Sequence, residues 1–181
     1  MASSKKRSRK RHIGNKPGGK PNSDASLRKH VVELLKGSHA HVSLADALAD
    51  FPPEKRGTFA QGLQHTCWQL LEHIRLAQWD ILEFSRNPKH LSPDFPDGYW
   101  PQTPAPADDA AWTKSLQAIE NDLRAMIRLV NNPRANLHSA FPWGDGQTLL
   151  REALLVADHN AYHLGQLVAV RRALGAWPAD A

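Results

Sequence analysis

The chain is poor in several things that would each open a different route to a fold. It has a single cysteine, Cys67, so an internal disulfide is excluded. Its apolar runs fall far short of the roughly 20 residues that a membrane-spanning helix requires. No stretch alternates apolar and polar residues between Gly or Asn turns, which removes the usual signs of strands and hairpins. The first twenty positions hold no acidic residue and almost no apolar side chain. With no hydrophobic segment behind its charges, that stretch does not read as a secretory signal. Gly at position 2 and Cys near the end are also missing, so the lipidation motifs fail. A cytoplasmic location is the expectation.

What is present is unevenly distributed. Lys5, Lys6, Arg7, Arg9, Lys10, Arg11, Lys16 and Lys20 crowd the first twenty residues, leaving fifteen basic against eighteen acidic residues in the remainder. The basic balance of the whole chain therefore belongs to its first segment. Residues 1–22 are expected to form a disordered tail, and 23–181 one folded domain. Phosphate contacts would let the tail touch nucleic acid or another polyanion, weakly and in a salt-sensitive way. A solubilising extension with no partner explains the same composition.

Helical periodicity dominates the rest. Leu27, Val31 and Leu34 outline a first helix that stops at Gly37. Ser43 with Asp46 marks the cap of a short helix that ends at Pro52-Pro53. Between Leu63 and Asn87, Cys67, Leu70, Ile74, Ala77, Ile81 and Phe84 follow the spacing of a bundle seam. On that seam Cys67 reads as a packing residue. Residues 88–106 carry six prolines and no helical period, which suits a long crossover loop. Trp112, Leu116, Ile119, Leu123, Met126 and Val130 then define a helix stopped by Asn131-Asn132-Pro133. A last helix runs from about Gln147 to Leu174, with Leu150, Ala153, Ala157, Leu164 and Val168 as expected core positions. The fold class is all-α, a four-helix bundle.

Chemistry concentrates in histidine, of which there are ten. His159 and His163, four apart, share one face of the last helix about one turn apart. One helix can offer two imidazoles to one metal ion at this spacing. At this histidine density roughly half a chance pair at that spacing is expected, so context has to carry the argument. The context is a row of Val156, His159, His163 and Val170 beside the packed stripe, where buried imidazoles without partners are costly. Asn160 follows the first histidine where a zinc peptidase of the helical type needs Glu, so that chemistry is unsupported. His73 lies on the edge of the seam beside Ala77. Asp80, two turns on, could orient a ligand.

The segment Leu71-Glu72-His73-Ile74-Arg75-Leu76-Ala77-Gln78-Trp79-Asp80 and its continuation to Pro88 resembles the second helix of the DinB/YfiT-like superfamily. Asp158-His159-Asn160-Ala161-Tyr162-His163-Leu164-Gly165-Gln166 resembles its last. The resemblance spans roughly Ser26 to Trp177. It implies a four-helix bundle with a three-histidine metal site: His73 from the second bundle helix, His159 and His163 from the fourth. It also implies a bacterial source and activities such as transfer of a low-molecular-weight thiol to an electrophile, or hydrolysis. Three protein ligands leave a coordination position open, whereas a structural zinc site normally takes four. Imidazoles suit several metals. Zinc is the default on availability, and nickel the second choice from the superfamily.

Other residues are weighed beside these. Gln166, one turn after His163, could donate to a bound ligand. His41 could reach the mouth of the pocket as an acid–base group, while its neighbour His39 reads as a turn residue. Tyr162 lies off the histidine row and is expected to pack. Trp100, Trp143 and Trp177 are expected to cover bundle ends, and Gly144-Asp145-Gly146 to form a turn. The superfamily often pairs through its helices, so a homodimer is expected by resemblance alone. Three functions stay in view: a metal-dependent transferase or hydrolase, a non-catalytic metal-binding stress-response module, and a nucleic-acid-associated protein led by its tail.

Overall fold

A computed structural model of the chain describes residues 23–37 and 40–178. The basic tail and His39 lie outside the described residues. Five α-helices form among the described residues: α1 (Ser23–Lys36), α2 (Leu44–Leu48), α3 (Cys67–Arg86), α4 (Asp109–Asn131) and α5 (Leu149–Ala173). Among the described residues, pairing of the β type is confined to one isolated bridge between Ala140 and Thr148. The four long helices make the bundle, and α2 belongs to the connection between α1 and α3. None of them is long and apolar enough to cross a membrane.

Side-chain bonds between helices give their directions. Glu72 accepts from Ser115 and Gln78 donates to the Ile119 carbonyl, so α3 and α4 run parallel. Gln78 accepts from Asn160 and His73 meets His163, so α5 runs against α3. Arg28 near the start of α1 reaches Val130 near the end of α4, so those two are antiparallel. A parallel α3–α4 pair obliges residues 87–108 to travel back along the bundle. The proline-rich segment is therefore the crossover that its length predicts. Within it, a single 3-10 turn covers Asp97–Tyr99.

Local chemistry starts each helix where it starts. Thr66 and Gln69 form a reciprocal capping box: Thr66 Oγ accepts from the Gln69 amide at 3.1 Å, and Gln69 Oε1 accepts from the Thr66 amide at 3.0 Å. Thr66 Oγ also donates to the Pro104 carbonyl at 2.6 Å, tying the end of the crossover to the start of α3. Asp108 caps α4 and Thr148 caps α5 in the same manner. Ser43 caps α2 as its pairing with Asp46 foretells, but α2 stops at Leu48, ahead of Pro52-Pro53. Pro53 instead opens a separate 3-10 turn.

The apolar interior has two parts. Val31, Val32, Leu35, Ile81, Leu82, Met126, Val130 and Val156 build one end. Trp68, Leu70, Leu71, Ile74, Trp112, Ile119, Leu167 and Val170 build the other, and Cys67 is fully buried among them. Burial pushes the Cys67 thiol up to about 12, the state of a packing residue. Leu34, expected in the core, is 55 % exposed. The buried stripe of α1 is Arg28, Val31, Val32 and Leu35, which keeps the i, i+3, i+4, i+7 rule with an arginine in it. On α5, Leu167 is fully buried and Val168 only partly so.

Between the two apolar parts lies a polar layer. Gln78, 1 % exposed, donates to the Ile119 carbonyl and accepts from Asn160, both at 2.7 Å. On α5, His159 and His163 stand on either side of Asn160 in sequence, and His73 of α3 packs against both.

Candidate metal centre

The residue spacing on α5 brings His159 and His163 to one face, and the antiparallel packing of α3 brings His73 against them. The Nε2 atom of His73 lies 3.1 Å from Nε2 of His163 and 3.1 Å from Nε2 of His159. One ring nitrogen from each residue falls within 4.8 Å of the other two. Three nitrogens around one ion at about 2.0–2.1 Å in tetrahedral array would be roughly 3.3 Å apart. The two spacings from His73 are close to that.

Protonation decides what these contacts are. Burial, the largest cause in each case, lowers the proton affinity of His73 and His163 and brings His159 down to about 4. All three rings are therefore neutral at pH 7, with one N–H each. His73 Nδ1 lies 2.9 Å from the Tyr99 carbonyl, and His163 Nδ1 lies 2.7 Å from Gln166 Oε1. Carbonyl oxygens only accept, so both Nδ1 atoms carry the proton and both Nε2 atoms present bare lone pairs. Those lone pairs face each other at 3.1 Å, where no hydrogen bond can join them. A shared cation would turn this repulsion into coordination. His159 Nδ1 is buried with no hydrogen-bond partner among the described residues, while its Nε2 faces the same point.

The surroundings are aromatic on one side and open on the other. Trp100 stacks on His73 with ring centroids 4.0 Å apart and planes 3° from parallel, and His65 stacks on Trp100 at 4.1 Å. A cavity of about 500 Å³ opens beside the cluster, with His163 in its wall. Leu63, His65, Trp100, Tyr162, Gln166 and Val170 are also among its lining.

The expected site residues fare differently. His73, His159 and His163 come together. Gln166 lies in the cavity wall, with its oxygen engaged by His163, so it orients an imidazole. Asp80 is buried but does not touch His73, His159 or His163; it accepts from His90 and from the Tyr99 hydroxyl, each at 2.7 Å. His41 is exposed, with Nδ1 2.9 Å from the Val42 carbonyl, and the cavity wall contains His65 where His41 was expected. Tyr162 is not packed away: it is 64 % exposed and meets His163 edge-on. Trp100 belongs to the site, whereas Trp143 donates to the Phe84 carbonyl and Trp177 lies against Arg171 and Arg172. The Tyr99 carbonyl left no mark in the sequence, since a backbone atom in an irregular loop has no residue signature.

A helical bundle with this histidine placement meets an independent finding: the family model of the DinB superfamily matches residues 34–167. The chain belongs to the DinB superfamily. The matched span includes α3 and α5 as far as Leu167, with all three histidines inside it, so the DinB assignment and the site rest on the same elements. No curated protein and no solved structure matched the chain. Membership and the buried three-histidine group together are compatible with divalent-metal binding by this DinB protein.

Proposed function

We propose that this DinB protein is a metal-dependent enzyme, with His73, His159 and His163 as ligands of one divalent cation, zinc by default. One observation carries the proposal. Tyr99 and Gln166 hold two imidazoles in the tautomer that turns their Nε2 lone pairs toward each other, next to an open cavity. When bound, the ion supplies Lewis acidity and a coordination position at which water or a thiol loses its proton near neutral pH.

The protein's own groups do the rest. Burial keeps the imidazoles neutral and ready to ligate. Gln166 and Tyr99 fix their orientation. Trp100 and Tyr162 shape the walls, and Leu63 and Val170 make part of them apolar. The eleven lining residues include no Lys, Arg, Asp or Glu, so the body of the substrate is uncharged and the ion selects its donor group. The reaction class is transfer of a low-molecular-weight thiol to an electrophile, or hydrolysis. It proceeds in the cytoplasm, and the choice between thiol and water rests with the occupant of the open position.

The test is metal content of untagged protein beside His73→Ala and His159→Ala. The expected outcome is near one equivalent in the parent and a loss in both variants while circular dichroism stays helical. A parent that neither carries nor takes up zinc or nickel would reduce the histidines to core residues and remove the basis for catalysis. With the metal shown, conjugation of a thiol to a generic electrophile and hydrolysis of an activated ester separate the two reactions.

A further inference from the structure

We infer that Asp80 is a positioning residue for the histidine cluster, acting at a distance through the crossover loop that it pins. The affinity part of this inference rests on the metal reading above, while the tautomer part stands without it.

Asp80 lies seven residues after His73 on α3, two turns along the same face. Each of its carboxylate oxygens holds a different point of the loop. Oδ1 meets His90 Nε2 and Oδ2 accepts from the Tyr99 hydroxyl, both at 2.7 Å. Between these two anchors the chain swings outward, with Leu91 and Phe95 each 87 % exposed. One buried carboxylate thus closes the stem of a solvent-facing excursion. The turn that returns the chain to the stem is tight: a Cβ on Gly98 would lie 2.6 Å from Pro93 Cβ.

Tyr99 then faces two ways. Its hydroxyl is fastened to Asp80, and its carbonyl accepts from His73 Nδ1 at 2.9 Å. The next residue, Trp100, lays its ring parallel to the His73 imidazole. A carboxylate that never touches the histidines therefore sets the atom that keeps the proton on His73 Nδ1. Loosening that carbonyl lets the proton move to Nε2, where it occupies the lone pair that the cluster needs. Groups of this kind behind a metal ligand typically alter affinity by about 10–100-fold.

Tyr99→Phe isolates the effect, because it removes one hydroxyl and leaves the carbonyl and ring. Two readouts apply. The first is the His73 tautomer in metal-free protein, by long-range nitrogen–proton NMR of the imidazole. The expected result is a single Nδ1–H form in the parent and a mixture in Tyr99→Phe. The second is zinc affinity by competition with a chromophoric chelator. It is expected to fall about 10-fold or more in Tyr99→Phe and in Asp80→Ala, with no further loss in the double variant. Trp143→Phe is the control: it also removes a loop-to-α3 hydrogen bond, to the Phe84 carbonyl, and is expected to change neither readout.

A folded Tyr99→Phe protein with the parent tautomer and the parent affinity overturns the inference, whatever its melting temperature. Should Asp80→Ala not fold, Tyr99→Phe decides alone. A parent that binds no zinc yet shows the locked tautomer, lost in Tyr99→Phe, leaves the positioning role standing and sinks the metal reading instead.

Discussion

Three imidazoles in one buried layer carry an electrostatic cost that has a sign and a pH range. An unfolded His159 takes up a proton near its ordinary 6.5, whereas the folded one, desolvated and beside two other histidines, resists until about 4. Above pH 6.5 both states are neutral and no penalty arises. As pH falls from 6.5 toward 4 the unfolded state binds more protons, so the metal-free protein loses stability across that window and little more from this group below it. His73 and His163 are lowered in the same direction and add to the slope. Urea midpoints of metal-free protein at a series of pH values should show the decline, and His159→Asn should show a shallower one. An identical slope in the variant would mean that His159 is not held neutral. Spacing marks His159 and His163 in the sequence and seam position marks His73, while their grouping into one set comes from the resemblance to the superfamily. His65, Trp100 and the Tyr99 carbonyl were not, since a stacking partner and a loop carbonyl are chosen by tertiary folding. Position on α3 marks Asp80, but its two partners come from a loop whose path no period describes.

At the level of the helices, the sequence pattern placed the four long elements within a few residues of their ends, because caps and apolar stripes are local. It misplaced Leu34 for an instructive reason. A stripe drawn from apolar residues alone passes over Arg28, whose guanidinium turns inward to the carbonyls of Val130, Asn132 and Ala135 at the end of α4. Val130 lies in the last turn of α4, where carbonyls lack a partner inside the helix, while Asn132 caps the helix and Ala135 lies just beyond it. Asp24 accepts from the remaining face of Arg28 at 2.8 Å. Arg28 thus joins the start of α1 to the end of α4 and belongs to the buried stripe. Arg28→Met keeps the aliphatic stem while removing these charged donors from carbonyls it had satisfied. The expected cost is about 2–3 kcal/mol in urea unfolding, without change in helix content. A change below about 0.5 kcal/mol would show that water satisfies those carbonyls equally well.

Across the whole molecule, the decisive feature is a polar stratum between two apolar ones. Gln78, Asn160 and the three histidines interrupt the interior where a bundle built only for stability would place leucine. Gln78 satisfies its own amide through Ile119 and Asn160, but the facing lone pairs of His73 and His163 are left without a proton between them. A cation shared there would take up those lone pairs. Any ligand that binds the folded state alone stabilises it by mass action, about 2.7 kcal/mol at a hundredfold excess over its dissociation constant. For a domain of this size that corresponds to roughly 5–10 °C in melting temperature. Zinc added to chelator-treated protein should therefore raise the melting temperature by that order and chelation should reverse it. The same addition should do nothing to His163→Ala, whose remaining pair of imidazoles comes from different helices and lacks the ring that Gln166 orients. Equal shifts in parent and variant would place the zinc elsewhere on the surface, among the exposed histidines. A shift confined to the parent would make the centre of the bundle the place where binding and folding are coupled.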